Sequence, residues 1–227
     1  MRSITFVAEI GSNHKGEKSL AYEYIRQAKL AGADIAKFQL GHRRTGATYQ
    51  HMRYAPMEWI EDLARWCDDI GIRFMASIFS QDALGLAETN GMQEYKIAHQ
   101  VALDEEQAPL VANIIATNKP VYMSGAHHAS PNVYPIYVHA GNYPEYEPHM
   151  PKDFHSSGWY GYSSHAHGAG DALLAISRGA RFIEKHVTLS KVETSIRDNH
   201  FALDFSEFGD MVKYGNEIAT ALGNRQP

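Results

Sequence analysis

Ionisable and hydroxyl side chains recur where the short apolar runs of this sequence finish. Reading those ends in order gives Glu9, then Lys37 and Gln39, Ser77, Lys96 and His99, Ser124, His139 and Asn142, Ser163 and His165, and finally Glu184, Lys185 and His186. Two lysines among serines suit a phosphate, whose oxygens take ammonium charge and hydroxyl donors together. His165 and His186 could offer two imidazoles to one divalent ion. Two protein ligands leave positions for water and substrate, as a Lewis-acid role requires. Each residue also has a plainer use. Glu9 could pair with Lys37 or Lys96, Ser77 or Ser163 could cap a following helix, and a histidine is more often hydrogen-bonded than metal-bound. Their common register at run ends is what points to a site.

The elements that must position these groups alternate along the chain. Strand-type runs fall at 4–9, 34–40, 72–77, 94–98, 121–124, 133–140, 159–163 and 181–188. Helix-type periodicity occupies 19–31, 56–70, 81–90, 104–117, 166–178 and 206–222. Gly32, Gly71, Gly91 and Gly179 stand where a helix must stop before the next strand. Strict alternation implies parallel strands with right-handed crossovers. Eight strands fit a closed (β/α)8 TIM barrel forming one domain over 1–227, with a doubly wound open sheet as the alternative. In such a barrel the catalytic groups sit at the C-terminal strand ends, where the polar residues lie here.

The outer ring should be thin on one side. Residues 125–132 are too few for a helix and its loops, and 142–158 carries Pro144, Pro148 and Pro151, leaving room for a short helix at most. The expected fold is therefore a compact barrel whose helices after strands five and six are missing or shortened. The strands at 121–123 and 133–138 would then expose apolar side chains, Tyr122 and Tyr134 among them. A patch of that kind usually marks an interface. Either the Pro-rich segment 143–154 folds back over it or a second copy covers it. The second copy is the expectation, because that segment's charged, proline-rich composition suits a surface loop.

Composition narrows the classes further. With 227 residues and 44% hydrophobic content the chain can bury one core without staples. A formal charge of −5 argues against nucleic acid as the main partner. The single cysteine, Cys67, reads as a core filler and excludes both an internal disulfide and a cysteine-based metal site. Neither a membrane-length apolar run nor a secretory leader is legible, so the expected location is cytoplasmic. Thirteen histidines are many for this length and point to chemistry.

Five motifs in order resemble the sialic acid synthase family. They are Ala8-Glu9-Ile10-Gly11-Ser12-Asn13-His14 followed by Gly16; Ala31-Gly32-Ala33-Asp34 followed by Lys37-Phe38-Gln39; Tyr95-Lys96-Ile97-Ala98; Gly161-Tyr162-Ser163-Ser164-His165; and Ile183-Glu184-Lys185-His186-Val187-Thr188-Leu189. The resemblance covers nearly the whole chain. It implies a (β/α)8 barrel that condenses phosphoenolpyruvate with an N-acetyl amino sugar. It also implies a divalent metal held by His165 and His186, manganese first, with magnesium or cobalt as alternatives. Lys37, Lys96, Ser77, Ser124 and Ser163 would bind phosphoenolpyruvate, with Lys185 as a further substrate-binding residue. Glu9 would lie near the reacting carbons, with Glu184 as a second catalytic carboxylate. Gln39, Asn142 and Tyr143 would face the sugar, and Asp198 would stand near metal and sugar.

The chain also departs from that family's pattern. His99-Gln100-Val101 replaces the usual Ser-Gly-acidic stretch, and Gly125-Ala126-His127 replaces Thr-Gly-Met. The family's C-terminal antifreeze-like domain has no counterpart here, so a separate protein supplying it is one expected partner. Alternatives to the synthase are a related sugar or oxo-acid lyase or isomerase, and a non-catalytic sugar- or protein-binding barrel. The retained charged groups argue against the last.

Overall fold

A computed structural model describes residues 4–41, 54–138, 149–193 and 198–223. Eight parallel strands run β1 (Thr5–Glu9), β2 (Ile35–Leu40), β3 (Arg73–Ile78), β4 (Tyr95–Ile97), β5 (Val121–Ser124), β6 (Val133–Val138), β7 (Gly161–Ser164) and β8 (Phe182–Thr188). Each pairs with the next, and β1 also pairs with β8. The sheet is thus a closed barrel and not an open one. A two-residue strand β9 (Leu203–Asp204), which the sequence pattern did not show, pairs in parallel beside the C-terminal end of β8.

Alternation along each strand separates two cores. Phe6, Ala8, Ala36, Phe38 and Leu40 face outward into the layer beneath the helices. Val7, Ile35, Met75, Tyr122, Ile136 and Phe182 face inward and fill the barrel floor, where the Tyr122 and Phe182 rings stack with centroids 4.3 Å apart. Filling the floor with apolar rings closes the barrel at one end and leaves the C-terminal strand ends as its open mouth.

The helices are α1 (Lys18–Leu30), α2 (Ile60–Ile70), α3 (Gln81–Thr89), the short α4 (His99–Ala102), α5 (Ala108–Ala116), α6 (Gly170–Ser177) and α7 (Phe205–Ala221). Most match the expected spans with trimmed ends. The exception is α6, which begins at Gly170 although the apolar pattern starts at residue 166. The residues between carry the His165 loop instead. Helix stops and starts follow local chemistry. Gly71 ends α2 in the left-handed region at φ 75°. Ser80, and not Ser77, caps α3 by accepting from the Ala83 N–H. Asp204 and Glu207 form a capping box that opens α7.

No helix lies between β5 and β6, as the eight-residue spacing required. The expectation of an uncovered face there is corrected in two ways. Tyr122 and Tyr134 point into the barrel, because they sit one residue out of phase with the outward Val121, Met123 and Val133. The outward residues are themselves buried, in a core that includes Met150, Phe154 and Trp159. That segment is tied down by Phe154 N–H donating to the Arg178 carbonyl at 2.9 Å. Trp159 meets Tyr137 edge-on at 5.6 Å. The chain thus closes its own gap, and the argument for a second copy loses its ground. Among the described residues no helix is long and apolar enough to cross a membrane.

Candidate active site

Strand register brings the mouth residues together before any side chain is considered. Glu9 lies opposite Lys37 on one side and His186 on the other. Gln39 is level with Ser77, Ser77 with Lys96, and Ser163 with Glu184. The side chains then interlock. Lys37 Nζ stands 2.5 Å from Glu9 Oε2 and donates to Ser77 Oγ at 3.0 Å. Gln39 Nε2 donates to Glu9 Oε1 at 2.9 Å. Lys96 Nζ donates to Ser124 Oγ at 2.6 Å, and Ser163 Oγ donates to Glu184 Oε1 at 2.9 Å. Glu184 bridges the two lysines, 3.6 Å from Lys37 and 3.7 Å from Lys96.

All of these charged groups are buried, which is tolerable only because each is paired. The pairing is uneven. Burial alone would lower Lys37, but Glu184 and Glu9 outweigh it and hold its ammonium above the usual range. At Lys96 burial dominates, Glu184 compensates in part, and the pKa falls to about 8. Lys96 is therefore the less neutralised cation and the natural seat for an incoming anion.

His165 and His186 project from β7 and β8 with ring centroids 5.4 Å apart. Burial, then the neighbouring His186, holds His165 well below its ordinary pKa, so it is in the neutral form that metals bind. His186 Nδ1 is shut off from solvent with no hydrogen-bond partner. Gly11 leaves space beside it: a Cβ there would stand 3.3 Å from His186 Cε1 and 3.5 Å from Glu9 Oε1. Two imidazoles, an orphaned nitrogen and a side-chain-free backbone fit a divalent cation that keeps open positions. Among the described residues no group of three or more His, Cys, Asp or Glu could hold a metal ion. Asp198 immediately precedes the turn Asn199–Phe201, whose Phe201 ring meets His165 at 5.5 Å and His186 at 5.1 Å.

One expected site residue is corrected. Lys185 does not enter the mouth, because strand alternation sends it outward between the inward Glu184 and His186. It is fully buried beneath α6, donating to Ser164 Oγ at 2.9 Å and to the Ala166 carbonyl. Asn142, Tyr143 and His139 lie outside the described residues. Asn13 and His14, part of the first motif, secure the loop after β1. Asn13 Nδ2 donates to the Val187 carbonyl at 2.6 Å. His14 Nδ1 accepts from the Gly16 N–H at 3.0 Å, and burial lowers its pKa to about 4.

A fit between His99 and Gly125 was invisible in the sequence except as two separate departures from the family pattern. His99 opens α4 just beyond Lys96, and its ring occupies the space where a side chain at position 125 would begin. Gly125 has φ +76°, so an L side chain there meets both strain and the ring. Gly125→Ala is expected to cost about 1–3 kcal/mol from strain and overpacking. Adding His99→Ala should recover the steric share, and urea unfolding of the single and double variants measures both.

Comparison with known proteins follows this geometry. The NeuB family model matches residues 42–134 and 128–227. N-acetylneuraminate-9-phosphate synthase of Homo sapiens is 25% identical over 266 aligned positions, covering 96% of this chain and 71% of that protein. Pseudaminic acid synthase of Helicobacter pylori is 26% identical, covering 97% and 76%. The crystal structure of N-acetylneuraminic acid (sialic acid) synthetase from Leptospira borgpetersenii, in complex with citrate, superposes with a TM-score of 0.83 at 22% identity. It covers 98% of this chain and 86% of that one, which fixes the barrel fold.

Proposed function

Because the chain belongs to the NeuB family, we propose that it condenses phosphoenolpyruvate with an N-acetyl amino sugar or related aldehyde sugar, releasing phosphate. The relatives named as synthases of N-acetylneuraminate 9-phosphate and pseudaminic acid support this class. The observation that carries it is the buried mouth cluster, in which Lys37 and Lys96 are set among Ser77, Ser124 and Ser163. Cations and hydroxyl donors in that arrangement suit one phosphate and one carboxylate on the same small molecule.

In this reading Lys96 and Ser124 hold the phosphate, and Lys37 with Ser77 holds the carboxylate. The C2–C3 π pair of phosphoenolpyruvate forms the new bond from C3 to the sugar aldehyde carbon, whose oxygen takes a proton from water and becomes a hydroxyl. Positive charge then develops at C2, where the Glu9 and Glu184 carboxylates stabilise it. Water adds at C2, with Glu9 as the proposed acceptor of its proton. The C2–O bond to phosphate then breaks as the C2 hydroxyl becomes a carbonyl and its proton passes to the departing phosphate. His165 and His186 would hold a divalent cation, manganese first, which when bound supplies Lewis acidity toward the aldehyde. Fixing both reactants side by side at the mouth contributes the entropic part of the rate, up to about 7–11 kcal/mol in the best intramolecular cases.

The test is incubation with Mn2+, phosphoenolpyruvate and a panel of aldehyde sugars, following inorganic phosphate. Release that needs all three components is expected for at least one amino sugar. Phosphoenolpyruvate left intact with every acceptor would overturn the proposal.

A further inference from the structure

Lys185 lies between two residues of the mouth yet faces away from it, and its partners explain why a charged group is buried there. Its Nζ donates to Ser164 Oγ at 2.9 Å and to the Ala166 carbonyl. These are the residues immediately before and after His165. Ser164 Oγ in turn donates to Asp171 Oδ2 at 2.8 Å, and Tyr162 Oη donates to the same oxygen at 2.6 Å. Asp171 sits in the first turn of α6. A single ammonium therefore fixes both flanks of His165, and a carboxylate ties that tether to the next helix.

We propose that Lys185 is a positioning residue for the imidazole pair, holding the backbone of the His165 loop so that His165 and His186 face one ion. The inference rests on the proposed metal role of that pair. The chemistry of the tether favours a lysine. An ammonium has three donors and no acceptor, and here two of them span a side-chain oxygen and a backbone carbonyl two residues apart. A methionine of similar length would fill the same space and hold neither. The consecutive residues Glu184, Lys185 and His186 thus divide the work: the first and third point into the mouth, and the second fixes the neighbouring strand's contribution from behind. Metal sites respond strongly to such outer partners, losing on the order of 10–100-fold in affinity when one is removed.

The test is Mn2+ titration of the full chain by electron paramagnetic resonance, at a temperature where circular dichroism shows each variant folded. Wild type is expected to bind one Mn2+, with His186→Ala losing that binding. Lys185→Met should bind Mn2+ about 10-fold or more weakly, while phosphoenolpyruvate affinity without metal stays within about twofold, because the inner face is untouched. General loosening of the fold would weaken both ligands together and overturn the inference. If Lys185→Met does not fold, Ser164→Ala removes one arm of the tether and should weaken Mn2+ by a few-fold, with Ser164→Thr restoring it. Wild-type Mn2+ affinity in Lys185→Met, or in Ser164→Ala where only that variant folds, would overturn the positioning role and leave the metal reading intact. Absence of Mn2+ binding by wild type would overturn the metal reading, and this inference with it.

Discussion

Lys96→Met is expected to weaken phosphoenolpyruvate binding about 30-fold or more, since removing one partner of a desolvated charged contact costs about 2–5 kcal/mol. Lys96 is the less neutralised of the two mouth lysines, with Glu184 at 3.7 Å and Ser124 in hydrogen-bond contact. An arriving phosphate completes its coordination. Methionine keeps the length and apolar stem, so lost affinity reports charge and not volume. The pH dependence has a definite sign. In the free protein Lys96 titrates near 8, burial being the main cause, and a bound anion raises that value. Affinity should therefore be flat below pH 8 and decline as pH rises above it, whereas Lys96→Met should lose that decline. Isothermal titration with phosphoenolpyruvate between pH 6.5 and 9.5 measures both effects. Wild-type affinity in the variant would mean that Lys96 serves only as the counter-ion of Glu184.

Glu184→Gln is expected to destabilise the fold by about 3–5 kcal/mol at pH 7, the cost of breaking a buried ionic group on one side. The amide can still accept from Ser163, but among the described residues it leaves Lys96 without a carboxylate within ion-pair reach and Lys37 with Glu9 alone. Burial by itself would raise the Glu184 carboxyl. The charges of Lys37 and Lys96, with the Ser163 hydroxyl, outweigh it and hold the pKa down at about 2, against an ordinary value of 4.5. A carboxylate depressed in the folded state contributes its stabilisation fully above the unfolded value and loses it as pH falls toward the folded one. The gap between wild type and variant should thus be widest above pH 4.5 and shrink between 4.5 and 2. Urea unfolding at pH 7, 4 and 3 follows it. A gap that stays constant through that range would show that Glu184 acts through packing alone.

Much of this was legible in the residues alone. The eight apolar runs, with glycine at Gly32, Gly71, Gly91 and Gly179 where helix gives way to strand, specify alternation because periodicity and stop signals are local properties. A closed barrel places strand ends at one mouth, so Glu9, Lys37, Lys96, Ser163, Glu184 and His186 could be read as neighbours from topology. The missing helix after β5 followed from counting residues. Side-chain direction was less secure. Lys185, Tyr122 and Tyr134 were each assigned to the wrong face, because a one-residue shift in phase sends a strand residue to the opposite side.

Contacts between distant segments belonged to the tertiary structure. No local pattern shows that the segment bearing Phe154 and Trp159 folds back over β5 and β6, where no helix joins those two strands. Nor does one show that the His99 ring needs glycine at 125, or that Lys185 reaches both flanks of His165. The sequence by itself determined which elements form and which end of the barrel carries the chemistry, since periodicity, stop signals and strand direction are encoded within a few residues. Only the tertiary structure decided which charges compensate one another and what covers the exposed strands. Both depend on distances between residues far apart in the chain, which close packing sets and local sequence does not.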